Sequence, residues 1–244
     1  MASNVARGTV YEHLIQQLLS EPPLSVQGLL RVGGAGDKGV DLRGWWTQRA
    51  FDSTSVARAP QLSSSTVRRP QERRLPVVVQ CKAENRKLGP QIIRELEGVA
   101  GYETGLKQTV HNRSISYAHA GQRHDRIPNL PTLAFLCGLS GFSKEAYNRA
   151  LASSCPLSLV HVECPSLSDL ALRHQQSRES LKCIQKRVNV MLNQGSAGSE
   201  KPVLKVVSWT MNQAFRDAVG PGWETVLKRS LVSDSRSAEL QYQA

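Results

Sequence analysis

Val77-Val78-Val79-Gln80-Cys81-Lys82-Ala83-Glu84 (VVVQCKAE) begins as a buried β-strand and then places polar residues where apolar ones should continue. Side chains alternate faces along a strand, so Val78, Gln80 and Lys82 share one face while Val77, Val79 and Cys81 share the other. A lysine on the inner strand of a domain carries a desolvation cost that a partner or a task must offset. The rest of the chain is read outward from that question.

At 244 residues the chain is long enough for one main core and a small appendage. Thirty-one Lys plus Arg against 20 Asp plus Glu give a formal charge of +11, which points to a polyanionic partner. Nucleic acid leads, and an anionic membrane surface comes second. The five cysteines are odd in number, widely spaced and never in a C-x-x-C pair, which argues for a reducing compartment and against a disulfide framework or a ribbon-type zinc site. No run reaches the roughly 18 apolar residues that span a bilayer, and the N-terminus shows neither an apolar signal core nor an evident transit segment.

Thr9 is placed to cap a helix over 10–20, where Tyr11, Leu14, Ile15 and Leu18 form an apolar stripe that Pro22-Pro23 ends. Strands are expected at Leu29–Val32 and Val40–Trp46, joined by the glycine-rich turn at 33–39. Residues 47–74 are rich in Ser, Arg, Pro and Gln without a hydrophobic period, which predicts a mobile basic insertion before the strand at 75–84. Pro90 opens a helix to about residue 104, a polar stretch fills 105–130, and Leu133–Cys137 is a short buried strand. Ser143 caps a helix over 144–153, Leu157–Val162 is another strand, 167–192 reads as helix, 195–199 as a linker and 202–229 as a strand then a helix. The order predicts an α/β fold: a mixed central sheet, an antiparallel meander plus parallel crossover strands, flanked by helices. The division expected is a main domain at 1–195 and a strand-helix extension with a tail at 196–244.

In Val40-Asp41-Leu42 the aspartate alternates with two apolar neighbours, so Asp41 is expected on the face of Gln80 and Lys82 if the two strands are adjacent. Glu12 lies in line with Ile15 and Leu19 at the edge of the buried stripe, directed to the same spot. A helix with Tyr11-Glu12, then GAGDKGVDLRG (34–44), then VVVQCKAE resembles the PD-(D/E)xK nucleases, in particular the Mrr-type, restriction endonuclease-like branch, where Gln-x-Lys stands for Glu-x-Lys. GFSKEAYNRA (141–150) followed by LSLVHV (157–162) is similar to the closing helix and strand of those domains, so the resemblance covers about residues 8–163. GDKGVDLRGWW (36–46) and VQCKAENRKLGPQIIRELEG (79–98) also look like the fungal mitochondrial family named as required for respiratory growth, the seventh of that set. That second resemblance implies a mitochondrial address.

The nuclease resemblance implies a restriction endonuclease-like core and a Mg²⁺- or Mn²⁺-dependent phosphodiester hydrolase. In it Asp41, Glu12 and the backbone carbonyl of Cys81 hold the ion, a hard cation that prefers oxygen ligands. Lys82 orients or deprotonates the attacking water and Gln80 helps position it. A glutamine brings no negative charge, which favours one metal over two. Arg43, Arg68, Arg69, Arg73, Arg74, Arg86 and Lys87 form the expected phosphate-tracking set, and a homodimer is compatible with the chain.

Each residue has a plainer reading. Lys82 pairs with Glu84 or Glu95, Asp41 satisfies turn amides as Asp37 does, and Glu12 is an ordinary helix flank. The glycines at 33–39 lack a following Gly-Lys-Ser/Thr, which excludes a nucleotide loop, and His161, Cys164, His174 and Cys183 match no compact zinc spacing. Trp45-Trp46 mark a sheet edge or core before a base-stacking platform. Two alternatives to the hydrolase stand beside it: a catalytically silent nucleic-acid-binding or assembly protein with the same fold, and a scaffold on a mitochondrial membrane surface.

Overall fold

The computed structural model describes residues 2–21, 24–32, 39–48, 73–115, 130–177 and 204–220. The elements are α1 (Asn4–Ser20), β1 (Gln27–Arg31), β2 (Leu42–Gln48), β3 (Arg73–Lys82), α2 (Pro90–Ile115), β4 (Leu133–Gly138), α3 (Lys144–Leu151), β5 (Leu157–Glu163), α4 (Leu167–Ser177), β6 (Lys205–Met211) and α5 (Gln213–Val219). The expected turn at 33–38 and the insertion at 49–72 lie outside the described residues. So do the helical reading of 178–192, the linker at 195–199 and the continuation past 220.

One six-stranded sheet runs in chain order from β1 to β6. β1, β2 and β3 pair antiparallel, β3, β4 and β5 pair parallel, and β6 returns antiparallel on β5. The mixed sheet is the one expected from the order of elements. Consecutive parallel strands stepping in one direction require crossovers of one hand, which puts α2 and α3 on the same face. The cores follow that division. Val78, Ala134, Leu136, Leu157 and Leu159 pack with Ile93 and Leu96 of α2 and Ala146 of α3. On the other face Val77, Val79, Phe135 and Val160 pack with Tyr11 and Leu14 of α1, Ala171 of α4 and Phe215 of α5. Every residue of β4 is buried, as a strand covered on both faces must be.

Several boundaries differ from the sequence reading. α1 begins at Asn4 rather than after a Thr9 cap, because Ser3 Oγ accepts the Ala6 amide at 3.1 Å and Ala6 joins the core. Thr47, Gln48, Arg73 and Arg74 belong to the β2–β3 ladder rather than to the insertion. α2 continues through 105–115, where a polar composition without proline lets a nucleated helix propagate. Ser143 does cap α3, accepting the Ala146 amide at 3.2 Å.

Asn212 closes the far edge of the sheet. Its Oδ1 accepts the amides of Leu157 (3.1 Å) and Phe215 (2.9 Å), capping α5. Its Nδ2 donates to the carbonyls of Ala150, Ser153 and Cys155 at 3.1, 3.0 and 2.7 Å. One buried side chain thereby satisfies backbone groups from α3, the α3–β5 turn, β5 and α5. Asn212→Ala leaves them unpaired, and the denaturation midpoint is expected to fall by the equivalent of about 3 kcal/mol at unchanged slope.

Burial holds the His13 pKa below the ordinary 6.5, and Arg31 lowers it further; Glu12 and Gln16 oppose them, and His174 adds the smallest lowering effect. The unfolded chain therefore takes up the proton first as pH drops, so stability is full above about pH 6.5 and declines below it. His13→Leu is expected to flatten that decline in melting curves taken from pH 7 to 5.

Candidate functional site

β3 carries the polar residues to its C-terminal end. Gln80 pairs in register with Leu136 and Lys82 with Gly138, both on the face covered by α2 and α3. Cys81 packs against the opposite core beneath α1, in register with Cys137. The alternation read from the sequence therefore holds through the strand end.

Asp41 departs from its expected place. Val40 lies in the α2-side core and Leu42 in the α1-side core, although residues two apart in a regular strand share a face. The extra residue between them is Asp41. Its amide donates to the Val79 carbonyl at 2.9 Å, the same residue that pairs with Leu42. This is the arrangement of a β-bulge, in which two residues of one strand oppose one of the next. It is Val40, not Asp41, that joins the face of Gln80. The Asp41 carboxylate accepts the Cys81 amide at 2.6 Å. A strand's N–H points within the plane of the sheet, so this carboxylate sits at the rim where β2 starts and β3 ends.

The rim is electrostatically joined. Burial is the main cause that raises the Cys81 thiol pKa, followed by the Cys137 thiol and the charges of Asp41 and Glu12, while Lys82 acts in the opposite sense. Cys137 is also pushed up, by burial and then by Asp41. Tyr11, its hydroxyl donating to the Val162 carbonyl at 3.3 Å, is raised by burial and by the thiols of Cys137, Cys81 and Cys164. These thiols are held protonated and are not nucleophiles at neutral pH. The charges of Asp41, Glu12 and Lys82 thus all act on the Cys81 thiol, from the residue before β2, from α1 and from β3.

Gln80 is 3% exposed, and its Oε1 has no hydrogen-bond partner among the described residues. Gly39, at φ +79°, lies against it, since a Cβ there would meet Gln80 Nε2 at 3.2 Å. The backbone conformation favours glycine at that position, and the close approach of the Gln80 side chain adds to the preference. Glu12 forms an ion pair with Arg31 on β1. Among the described residues no three His, Cys, Asp or Glu side chains form a group that could hold a metal ion. The oxygen atoms on hand at this end of β3 are the Asp41 carboxylate, the Gln80 amide and the Cys81 carbonyl, the donor type that hard cations take.

The expected phosphate-tracking residues are dispersed. Arg43 pairs with the buried Glu103 of α2 at 2.6 Å, joining β2 to that helix. Arg86 is exposed and 3.0 Å from Glu84, Lys87 is exposed beside it, and Arg74 is exposed on β3. Arg68 and Arg69 lie outside the described residues, as does the side chain of Arg73. A cleft of about 450 Å³ is lined by Arg86, Lys87, Gln91 and Arg94 at the start of α2. A second of about 550 Å³ is lined by Asn4, Arg7 and Gly8 of α1 and by Ala83–Arg86 just beyond Lys82. Sequence reading passed over Arg7 and Arg94. Arg7 stands one helical turn before Tyr11, which was the available signal. Trp46 is buried in the α1-side core and Trp45 is 45% exposed.

The family described as Required for respiratory growth protein 7 matches residues 3–194. An uncharacterised mitochondrial protein of Schizosaccharomyces pombe is 34% identical over 106 residues, 42% of this chain and 33% of the relative. Mitochondrial proteins named as required for respiratory growth protein 7 match from Zygosaccharomyces rouxii, 30% identical over 131 residues (46% of this chain, 53% of the relative). The one from Vanderwaltozyma polyspora is 27% identical over 117 residues (40% and 46%). The chain thus spans from a third to about half the length of the curated relatives it matches. No solved structure matches it. No helix among the described residues is long and apolar enough to cross a membrane.

The bond from Asp41 to Cys81 is testable apart from any activity. Asp41→Ala is expected to speed hydrogen exchange at the Cys81 amide and to cost about 2 kcal/mol, while Asp41→Asn, which keeps an acceptor, costs less.

Proposed function

The chain belongs to the Required for respiratory growth protein 7 family, and we propose that it is a mitochondrial protein serving respiratory growth by hydrolysing phosphodiesters in nucleic acid, DNA first. The observation that carries this reading is the Asp41 carboxylate bonded to the Cys81 amide at 2.6 Å, with the charges of Glu12 and Lys82 also acting on Cys81 and a buried Gln80 oxygen without a partner among the described residues. A binding module does not require two carboxylates next to a lysine, and carboxylates repel a polyanion unless a cation lies between them.

In this reading Asp41, the Gln80 amide oxygen and the Cys81 carbonyl would hold Mg²⁺ or Mn²⁺, with Glu12 joining once it leaves Arg31. When bound, such an ion polarises a phosphoryl oxygen and makes water a better nucleophile. Lys82, fixed at the strand end, neutralises charge developing on the phosphate and orients the attacking water. Gln80 positions that water by its amide. The bulge sets Asp41 at the rim, where a strand of nucleic acid can approach without entering the core.

The second reading is a catalytically silent nucleic-acid-binding or assembly protein, and the Glu12–Arg31 ion pair favours it by compensating one of the two carboxylates. The two separate on plasmid, single-stranded, branched and RNA substrates incubated with Mg²⁺, Mn²⁺ or chelator. The hydrolase reading expects metal-dependent cleavage that falls at least about 100-fold in Lys82→Ala and Asp41→Asn. It also expects metal-free binding preserved in Asp41→Asn and modestly weakened in Lys82→Ala. Binding without cleavage of every substrate replaces it with the silent reading.

A further inference from the structure

Four arginines are answered by glutamates: Arg31 by Glu12, Arg43 by Glu103, Arg86 by Glu84 and Arg149 by Glu97. Arg7 is different. Among the described residues its guanidinium meets the Asn85 side-chain oxygen at 2.6 Å and no carboxylate, and its Nε is buried without a hydrogen-bond partner. A guanidinium is charged at every accessible pH, so removing part of it from water without an anion is costly unless an anion arrives.

The space for that anion is present. Arg7 lines the 550 Å³ cleft between the first turns of α1 and the segment that follows Lys82. Gly8 lies on the same wall, inside a helix, where glycine costs about 1 kcal/mol relative to alanine. No packing explains it, since an added Cβ would meet nothing within 4 Å. A glycine that opens a cleft beside an arginine without an anion lets a ligand come close to the helix backbone. Glu84 also lines the cleft but is held by Arg86 at 3.0 Å.

We propose that this cleft is a phosphate-binding site in which Arg7, oriented by Asn85, holds a backbone phosphate of a nucleic-acid strand next to the one that reaches Lys82. The planar fork of arginine suits two phosphate oxygens at once, and Asn85 keeps its Nδ2 as a further donor. The source of the phosphate rests on the nucleic-acid reading above; the site itself rests on Arg7, Gly8 and the cleft.

The test measures binding of a labelled single strand and its duplex in chelator across a range of salt, together with the melting shift produced by inorganic phosphate. The proteins are wild type, Arg7→Gln, Arg7→Lys, Gly8→Leu and, as a charge-loss control on the edge strand β6, Lys205→Gln. Arg7→Gln is expected to weaken oligonucleotide binding about tenfold and to lower the slope of log affinity against log salt by about 0.7–0.9. Gly8→Leu removes no charge and favours the helix, yet by filling the cleft it is expected to weaken binding comparably. Arg7→Lys should fall between, and Lys205→Gln should stay within about twofold. If Arg7→Gln does not fold, Arg7→Lys and Gly8→Leu decide alone. Variants indistinguishable from Lys205→Gln overturn the site, as does a wild type that responds to neither oligonucleotide nor phosphate. A phosphate-dependent shift that disappears in Arg7→Gln, with no oligonucleotide binding by wild type, keeps the site and overturns the nucleic-acid reading.

Discussion

The structure depends on β3 being paired on both sides and covered on both faces. Antiparallel β2 and parallel β4 fix its backbone, while Val77 and Val79 enter one core and Val78 the other. A strand held in that way cannot slip by one residue without turning every side chain to the wrong face. Gln80, Cys81 and Lys82 therefore inherit their facing and register from the three valines.

Around that end the compensation of charge is uneven. Glu12 and Glu103 are tied to arginines that join α1 to β1 and β2 to α2, so part of the basic surplus holds the layers together. The Asp41 carboxylate takes the place of a backbone acceptor for Cys81, which lets the β2–β3 ladder end with its last amide satisfied. Because burial, and after it the same carboxylate, raises the thiols of Cys81 and Cys137, the cysteines beneath α1 act as small apolar packing residues. The chemistry left at the rim belongs to oxygen and nitrogen.

Elements that announce themselves by period were legible. The stripe of α1, the buried run of β4 and the Ser143 cap follow from local rules and agree with the structure. Residues that act through distant partners were not. Nothing local shows that Asn212 bonds to carbonyls 57 to 62 positions away, or that Arg7 meets Asn85 78 positions on. Asp41 was placed on the wrong footing because strict alternation was assumed across a turn, and a bulge is set by how the two strands meet.

The sequence by itself determined the order of strands and helices, that the sheet is mixed, and that Gln80 and Lys82 share a face, since all of these are consequences of side-chain period and chain order. Tertiary structure decided the rest. It converted Asp41 into the acceptor at a bulge, bound Glu12 to Arg31, and opened a cleft at Arg7 and Gly8. The physical reason is that the pairing of charges and the position of voids are properties of surfaces brought together by folding, and no local pattern encodes which surfaces will meet.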